Sequence, residues 1–325
     1  MKLFSQSILL QAVVILAATL LLWGGALAVP PSMSADGGGV LYGLVARWLG
    51  TAPLAAVIVA MVLVTTEGLW LNLLLADHNL TPQNSLLPTL LYIIAMSAPA
   101  TTLTPMILAA APLILCTRQL LLKGTLLTIS TDRACAATAM IGLASLFYLP
   151  AALMMISYML AAINYRLYGI KDWAVLFLGF LAPYVLVATV LMFTDGLAAW
   201  WQEVTATFGS INVGIGSFDT LPAIGNVLLL AMLLAGVAAV WNLSSEHPVV
   251  WQKNATTLFA YIVGGVAMLV VTRLFTVDLQ FFAIPFAFSV TCLLTPPTRS
   301  RGRRKRREWV YSLLLILTVI AALIC

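Results

Sequence analysis

The chain has 325 residues, 62% of them apolar and only 8% charged, with a net charge of +5. A soluble domain is about 45 to 50% apolar and about 25% charged, so these few charges cannot coat a water-facing surface, and soluble enzymes, nucleic-acid readers and secreted disulfide scaffolds are excluded in favour of an integral membrane protein. The positive charge is a local patch, because seven of the sixteen basic residues lie between Arg299 and Arg307.

A membrane-crossing helix needs about 20 apolar residues, and fewer when it is one arm of a hairpin. The first apolar run, residues 7–29, carries Ala26-Leu27-Ala28, a cleavage-like pattern. Its length exceeds the roughly 7 to 15 residues of a signal-peptide core, so a retained anchor is expected. Residues 30–52 follow as an external loop containing Asp36 and the triplet Gly37-Gly38-Gly39. Within it Leu41, Leu44, Val45, Trp48 and Leu49 form the stripe of a helix lying on the membrane surface, with Tyr42 and Arg47 off its centre.

The next predicted span, 53–76, contains Glu67 and Asn72, and an ionisable group inside a span is a functional candidate by default. Glu67 is either a hydrogen-bonded structural group or part of a proton or solute relay; no second intramembrane acid or base accompanies it. Two long runs then break in the middle, 86–122 at Pro99 and Pro105, and 134–165 at Tyr148-Leu149-Pro150. Each reads as a helical hairpin, with a single kinked helix as the alternative. The run 172–195 is a further span. After it comes a second external loop, 196–221, which opens with the interfacial anchor Trp200-Trp201-Gln202-Glu203 and passes through a Gly209 to Asp219 stretch. Segments 222–242, 255–272, 279–295 and 309–325 complete eleven predicted spans, with a basic loop at 296–308.

The positive-inside rule tests this division. With the N-terminus inside, fourteen basic residues fall on the cytoplasmic side and only Arg47 and Arg273 outside, which places the C-terminus outside. Two compensating errors in the hairpins would leave nine spans. The expected class is therefore an all-α polytopic transmembrane bundle forming one domain. The Arg299 to Arg307 run beside the last span is a topology determinant and a contact for anionic lipid, at about 1 kcal/mol per charge. A nucleic-acid partner is not expected there. The sequons at Asn79, Asn242 and Asn254 fall on the predicted cytoplasmic side, away from glycosylation.

No cofactor or metal site is indicated. His78 and His247 stand in loops without a ligand partner at i+3 or i+4, and Cys116, Cys135, Cys292 and Cys325 have no C-x-x-C spacing. The absence of a G-x-x-x-x-G-K loop leaves any ATP-driven motor to a partner. The outer face holds Asp36, Tyr42, Arg47, Asp195, Glu203, Asp219, Arg273 and Asp278. Arg47 and Arg273 are either interfacial anchors paired with Asp36 or Asp278, or grips for a lipid-linked phosphate, which Arg binds bidentately.

The layout resembles that of integral-membrane C-type glycosyltransferases, which use polyprenyl-phosphate sugar donors. The shared parts are a first span, an acid-bearing external loop with a juxtamembrane helix, a long second span, pairs of short helices and a second external loop after the seventh span. Asp36, Tyr42 and Arg47, the last two in Tyr42-Gly43-Leu44-Val45-Ala46-Arg47, are similar to the acid-then-Tyr-x-x-x-Ala-Arg texture of aminoarabinose-transferring members. Asp36 has no acidic neighbour here, and a periplasmic domain is not expected. Gly142-Leu143-Ala144-Ser145-Leu146-Phe147-Tyr148-Leu149-Pro150, the Asp172-Trp173 to Pro183-Tyr184 stretch, and Asn72 with Pro88 and Tyr92 resemble an uncharacterised family of Bacteroidota inner-membrane proteins.

These likenesses imply a bacterial inner-membrane protein in envelope assembly that acts on a polyprenyl-phosphate-linked sugar or similar lipid. Asp36 would then be the catalytic base, with Tyr42, Arg47, Arg273 and Asp278 binding substrate. The competing expectations are a lipid or sugar transporter or flippase using Glu67 and the broken hairpins, and a non-catalytic scaffold with an envelope-assembly partner protein.

Overall fold

A computed structural model describes residues 8–32, 38–82, 85–97, 102–124, 127–167, 169–209, 220–272 and 279–295. Its regular elements are all helical: α1 (Ile8–Ala28), α2 (Val40–Leu49), α3 (Pro53–Asp77), α4 (Leu87–Ser97), α5 (Pro105–Leu120), α6 (Thr131–Phe147), α7 (Met154–Asn164), α8 (Ile170–Phe193), α9 (Leu197–Gly209), α10 (Thr220–Ser244), α11 (Val249–Thr272) and α12 (Ala283–Leu294). Short 3-10 turns at Leu149–Leu153 and Leu279–Phe282 precede α7 and α12. The basic loop and the last predicted span lie outside the described residues.

Among the described helices, α1, α3, α8, α10 and α11 are long and apolar enough to cross a membrane. The remaining described helices are shorter, from the 17 residues of α6 down to the ten of α2. At about 1.5 Å per residue, the eleven residues of α4 reach about 16 Å, roughly half of a 30 Å hydrocarbon core. Every residue of α4 is buried, as is nearly all of α12. The long α8, by contrast, buries only Leu176 and Gly179 and exposes Phe177, Leu178, Val185 and Leu186. The short α4 and α12 are therefore enclosed by other helices and α8 presents most of its surface outward, while the long α3 and α11 each bury one face.

Both broken runs reverse direction between their two helices, but α4 packs on α3, α12 and α1 while α5 packs on α6 and α3, so these two do not form a closely packed hairpin. Pro105 starts α5 where its missing N–H is harmless, and the Thr104 hydroxyl accepts from Ile107 N–H at 3.4 Å. Pro150 similarly stands in the first turn of the 3-10 segment after α6. The Tyr158 hydroxyl then donates to the Ala134 carbonyl at 3.1 Å, so α7 returns along α6.

Interhelical hydrogen bonds define two ends of the bundle. One end joins Lys123 to Asp77, Arg133 to the carbonyls of Arg118 and Leu121, Lys253 to the Leu127 carbonyl and Thr131 to Asp172. The other joins Trp23 Nε1 to Ser97, the Gly39 amide to the Phe147 carbonyl, Tyr42 to the Leu103 carbonyl and Gln280 to the Met96 carbonyl. Arg118, Lys123, Arg133, Arg166, Lys171 and Lys253 cluster at the first end. Arg47 is the sole base at the second among the described residues. We call them the basic and the opposite end.

Lipid tails are as apolar as leucine, so helix association inside a membrane rests on close packing through small residues. Gly142 of α6 lies against the Phe180 carbonyl and Pro183 of α8, while Gly179 of α8 lies against Thr138 and Cys135 of α6. Gly236 faces Ser289 between α10 and α12, and Gly264 faces Ser157 and Met154 between α11 and α7. A side chain at Gly142, Gly179 or Gly236 would press on the neighbouring backbone and hold the helices apart, and one at Gly264 would displace the Ser157 and Met154 side chains.

Candidate functional site

Two places carry polar chemistry near or inside the bilayer. The first is the opposite end, where α2 and α9 are found. Val45 and Leu49 of α2 pack against the core, and Leu44 and Trp48 are exposed on the outer side. The amphipathic stripe thus serves both the bundle and the surrounding apolar phase. Tyr42, which lies off the centre of the stripe, is buried, 2% exposed, with its hydroxyl donating to Leu103 at 3.0 Å. Burial pushes its phenol above the usual range, so it stays a donor. Together with the Gly39–Phe147 hydrogen bond, Tyr42 clamps the entry of α2 onto the bundle.

Arg47, five residues further on, is exposed. Tyr42 and Arg47 therefore share a helix but point to different sides of it. The side chains of Asp36, Glu203, Asp219, Arg273 and Asp278 lie outside the described residues. Where α8 meets α9, a shallow recess of about 600 Å³ is lined by Met192, Asp195, Leu197, Ala198 and Trp201. Trp200 is tied to the bundle through Tyr184, whose ring lies 6.0 Å away and whose hydroxyl pairs with Ser145 at 2.7 Å. The opposite end thus presents an Arg, an Asp and two exposed Trp on helices fixed from below.

The second place is inside α3. Glu67, Gly68, Leu71, Asn72 and Leu75 lie on one face and are all buried. Gly68 lets α4 come close: a methyl group there would sit 3.2 Å from both the Thr89 carbonyl and the Tyr92 ring. Across this approach the Thr89 hydroxyl donates to the Gly68 carbonyl at 3.2 Å, and the Tyr92 hydroxyl donates to Glu67 Oε2 at 2.9 Å. The Ala111 backbone of α5 faces the same carboxyl group. Glu67 Oε1 and Asn72 Oδ1 are buried without a hydrogen-bond partner among the described residues.

Sequence reading singled out Glu67 and Asn72, and grouped Asn72 with Tyr92 only as part of a resemblance, but did not pair Glu67 with Tyr92, which lies 25 residues from it in the chain. A signal existed: Tyr92 is the one phenol in the apolar 86–101 run and sits opposite the polar part of the preceding span. Asn254, passed over as a sequon, is another buried polar residue of structural weight. No group of three or more His, Cys, Asp or Glu able to hold a metal occurs among the described residues.

Beside Tyr92 a small cavity of about 10 Å³ is lined by Met96, Met106, Tyr261, Gln280 and Phe281. On the lipid side, a groove of about 320 Å³ between α1 and α3 is almost wholly apolar. Its hydroxyls at Thr19, Thr65 and Thr66 donate back to their own helix carbonyls. Comparison with known proteins gives no matching family model, no matching curated protein and no matching solved structure.

Proposed function

We propose that this integral membrane protein works at the opposite end of its bundle on a polyprenyl-phosphate-linked sugar or a similar lipid, in the manner of the C-type glycosyltransferases. The observation that carries the reading is the placement of α2 and α9 at that same end, α2 held to Leu103 and Phe147 by hydrogen bonds and α9 held to α8 by the Trp200–Tyr184 ring contact. A lipid-linked substrate keeps its tail in the bilayer and its phosphate at the surface. Exposed Trp48 and Trp201 suit the first part and Arg47 the second.

In this reading the bacterial inner membrane holds the protein with its basic end in the cytoplasm. Asp36 removes the proton from an acceptor hydroxyl, whose oxygen bonds to the anomeric carbon as the bond from that carbon to the phosphate oxygen breaks. Arg47 and Arg273 hold the departing polyprenyl phosphate, and Asp278 orients Arg273. Tyr42 acts by fixing α2.

The test is envelope composition. Strains carrying Asp36→Asn, Arg47→Ala or Arg273→Ala should lack a glycan or lipid modification that the wild type makes, with the protein present at normal abundance. Identical envelope glycans and glycolipids in all three strains would overturn the proposal.

A further inference from the structure

We infer that Glu67 is a proton-binding site in the middle of the bundle, its proton carried on Oε1 and exchanged through the cavity beside Tyr92. Glu67 is 2% exposed, Tyr92 donates to Oε2, and Oε1 has no hydrogen-bond partner. The ion pair found among the described residues, Lys123 with Asp77, lies at the basic end, about 15 Å along α3. An unpaired carboxylate buried among apolar side chains costs several kcal/mol. A proton on Oε1 removes that charge and leaves Oε2 as a carbonyl oxygen that still accepts from Tyr92.

The neighbouring groups favour a proton over a metal ion. Hard cations need a shell of several oxygens. The other unpaired oxygen on α3, Asn72 Oδ1, stands five residues on, about 7.5 Å along the axis, too far to share one ion. Of the helices packed on α3, α1 carries no titratable side chain and α4 only Tyr92. On α5, Cys116 is engaged with Tyr261, and Arg118 is at the basic end. On α2, Tyr42 and Arg47 are at the opposite end. Nothing cationic faces the carboxyl group from any of these helices.

The cavity provides the route. Its volume of about 10 Å³ admits roughly one water, and it is bordered by Tyr261 and by Tyr92, whose hydroxyl connects it to Glu67. Gln280 belongs to the opposite end, so the proton would be exchanged with that side. This inference does not depend on the transferase reading; either can fail alone.

The experiment is infrared difference spectroscopy of the full-length protein in lipid nanodiscs, wild type against Glu67→Gln, recorded from acid to alkaline pH in H2O and D2O. The expected result is a protonated-carboxyl C=O band that shifts in D2O, gives way to carboxylate bands at alkaline pH, and is lost in Glu67→Gln. Tyr92→Phe, which removes the donor to Oε2, moves the band to higher frequency. A band that neither exchanges in D2O nor titrates, or no acid band at any pH, overturns the proposal.

Discussion

The side-chain amide of Asn254 pairs with both backbone groups of Leu122: Oδ1 accepts the Leu122 N–H at 2.8 Å, and Nδ2 donates to the Leu122 carbonyl at 3.0 Å. Leu122 follows the end of α5, where the chain has left the helix and its peptide groups need new partners. Asn254 is fully buried, so water cannot replace it. Replacing it with Ala or Leu strands two buried backbone groups at about 1 to 3 kcal/mol each. We predict that Asn254→Leu lowers unfolding stability by about 2 to 4 kcal/mol, measured by denaturant titration in detergent. Expression in a glycosylating host should leave Asn254 unmodified, as read by intact mass.

The α6–α8 contact makes a second prediction. Gly142 and Gly179 each meet the other helix's backbone, so even a methyl group must push the helices apart. Gly142→Ala should cost about 1 to 3 kcal/mol, in line with overpacked cores, and Gly142→Leu should abolish a monodisperse size-exclusion peak. Gly43 and Gly124 have no atom within 4 Å of an added Cβ. Gly43→Ala should therefore leave the elution profile unchanged. Gly124 is a less suitable control because its φ of +67° disfavours any side chain.

Much of this framework was legible in the sequence because membrane helices obey two blunt constraints, apolar length and Pro or Gly breaks. The break at Pro99 and Pro105 appears as the end of α4 at Ser97 and the start of α5 at Pro105. The surface stripe after the first span appears as α2. What the sequence hid was pairing at a distance. Tyr42 bonds Leu103, Trp23 bonds Ser97 and Tyr92 bonds Glu67, and no local period marks such partners. The burial of Tyr42 was hidden for that reason: its position off the centre of the stripe does not reveal that Leu103 and its neighbours cover it.

Orientation gives a third prediction. Trp48 is 86% exposed on α2, and Lys123 has a side-chain exposure of 60% at the basic end. In a cysteine-free background, Trp48→Cys should react with a membrane-impermeant maleimide in spheroplasts, and Lys123→Cys only in inverted vesicles. Both reacting from the same side would contradict the arrangement of the two ends across the bilayer.

The last prediction concerns pH and His78, which follows the end of α3. Its ring, as the Nδ1–H tautomer, donates to the Leu74 carbonyl at 2.8 Å. Partial burial is the main cause that pushes its pKa below the usual value. Lys123 and Arg133 add to this, while the Leu74 bond and Asp77 oppose it. The folded chain therefore binds this proton less readily than the unfolded chain does. The sign follows: stability from neutral His78 is complete above the ordinary His value of about 6.5 and is lost as pH falls through that value toward the folded one. His78→Gln keeps a donor for Leu74 but cannot take up the proton. Thermal unfolding of wild type should thus drop more steeply between neutral and mildly acid pH than that of His78→Gln. The Asp77–Lys123 pair, exposed and screened, should contribute no more than about 1 kcal/mol to either curve. Parallel melting-temperature profiles for the two proteins would show that His78 titrates alike in both states, against the burial described.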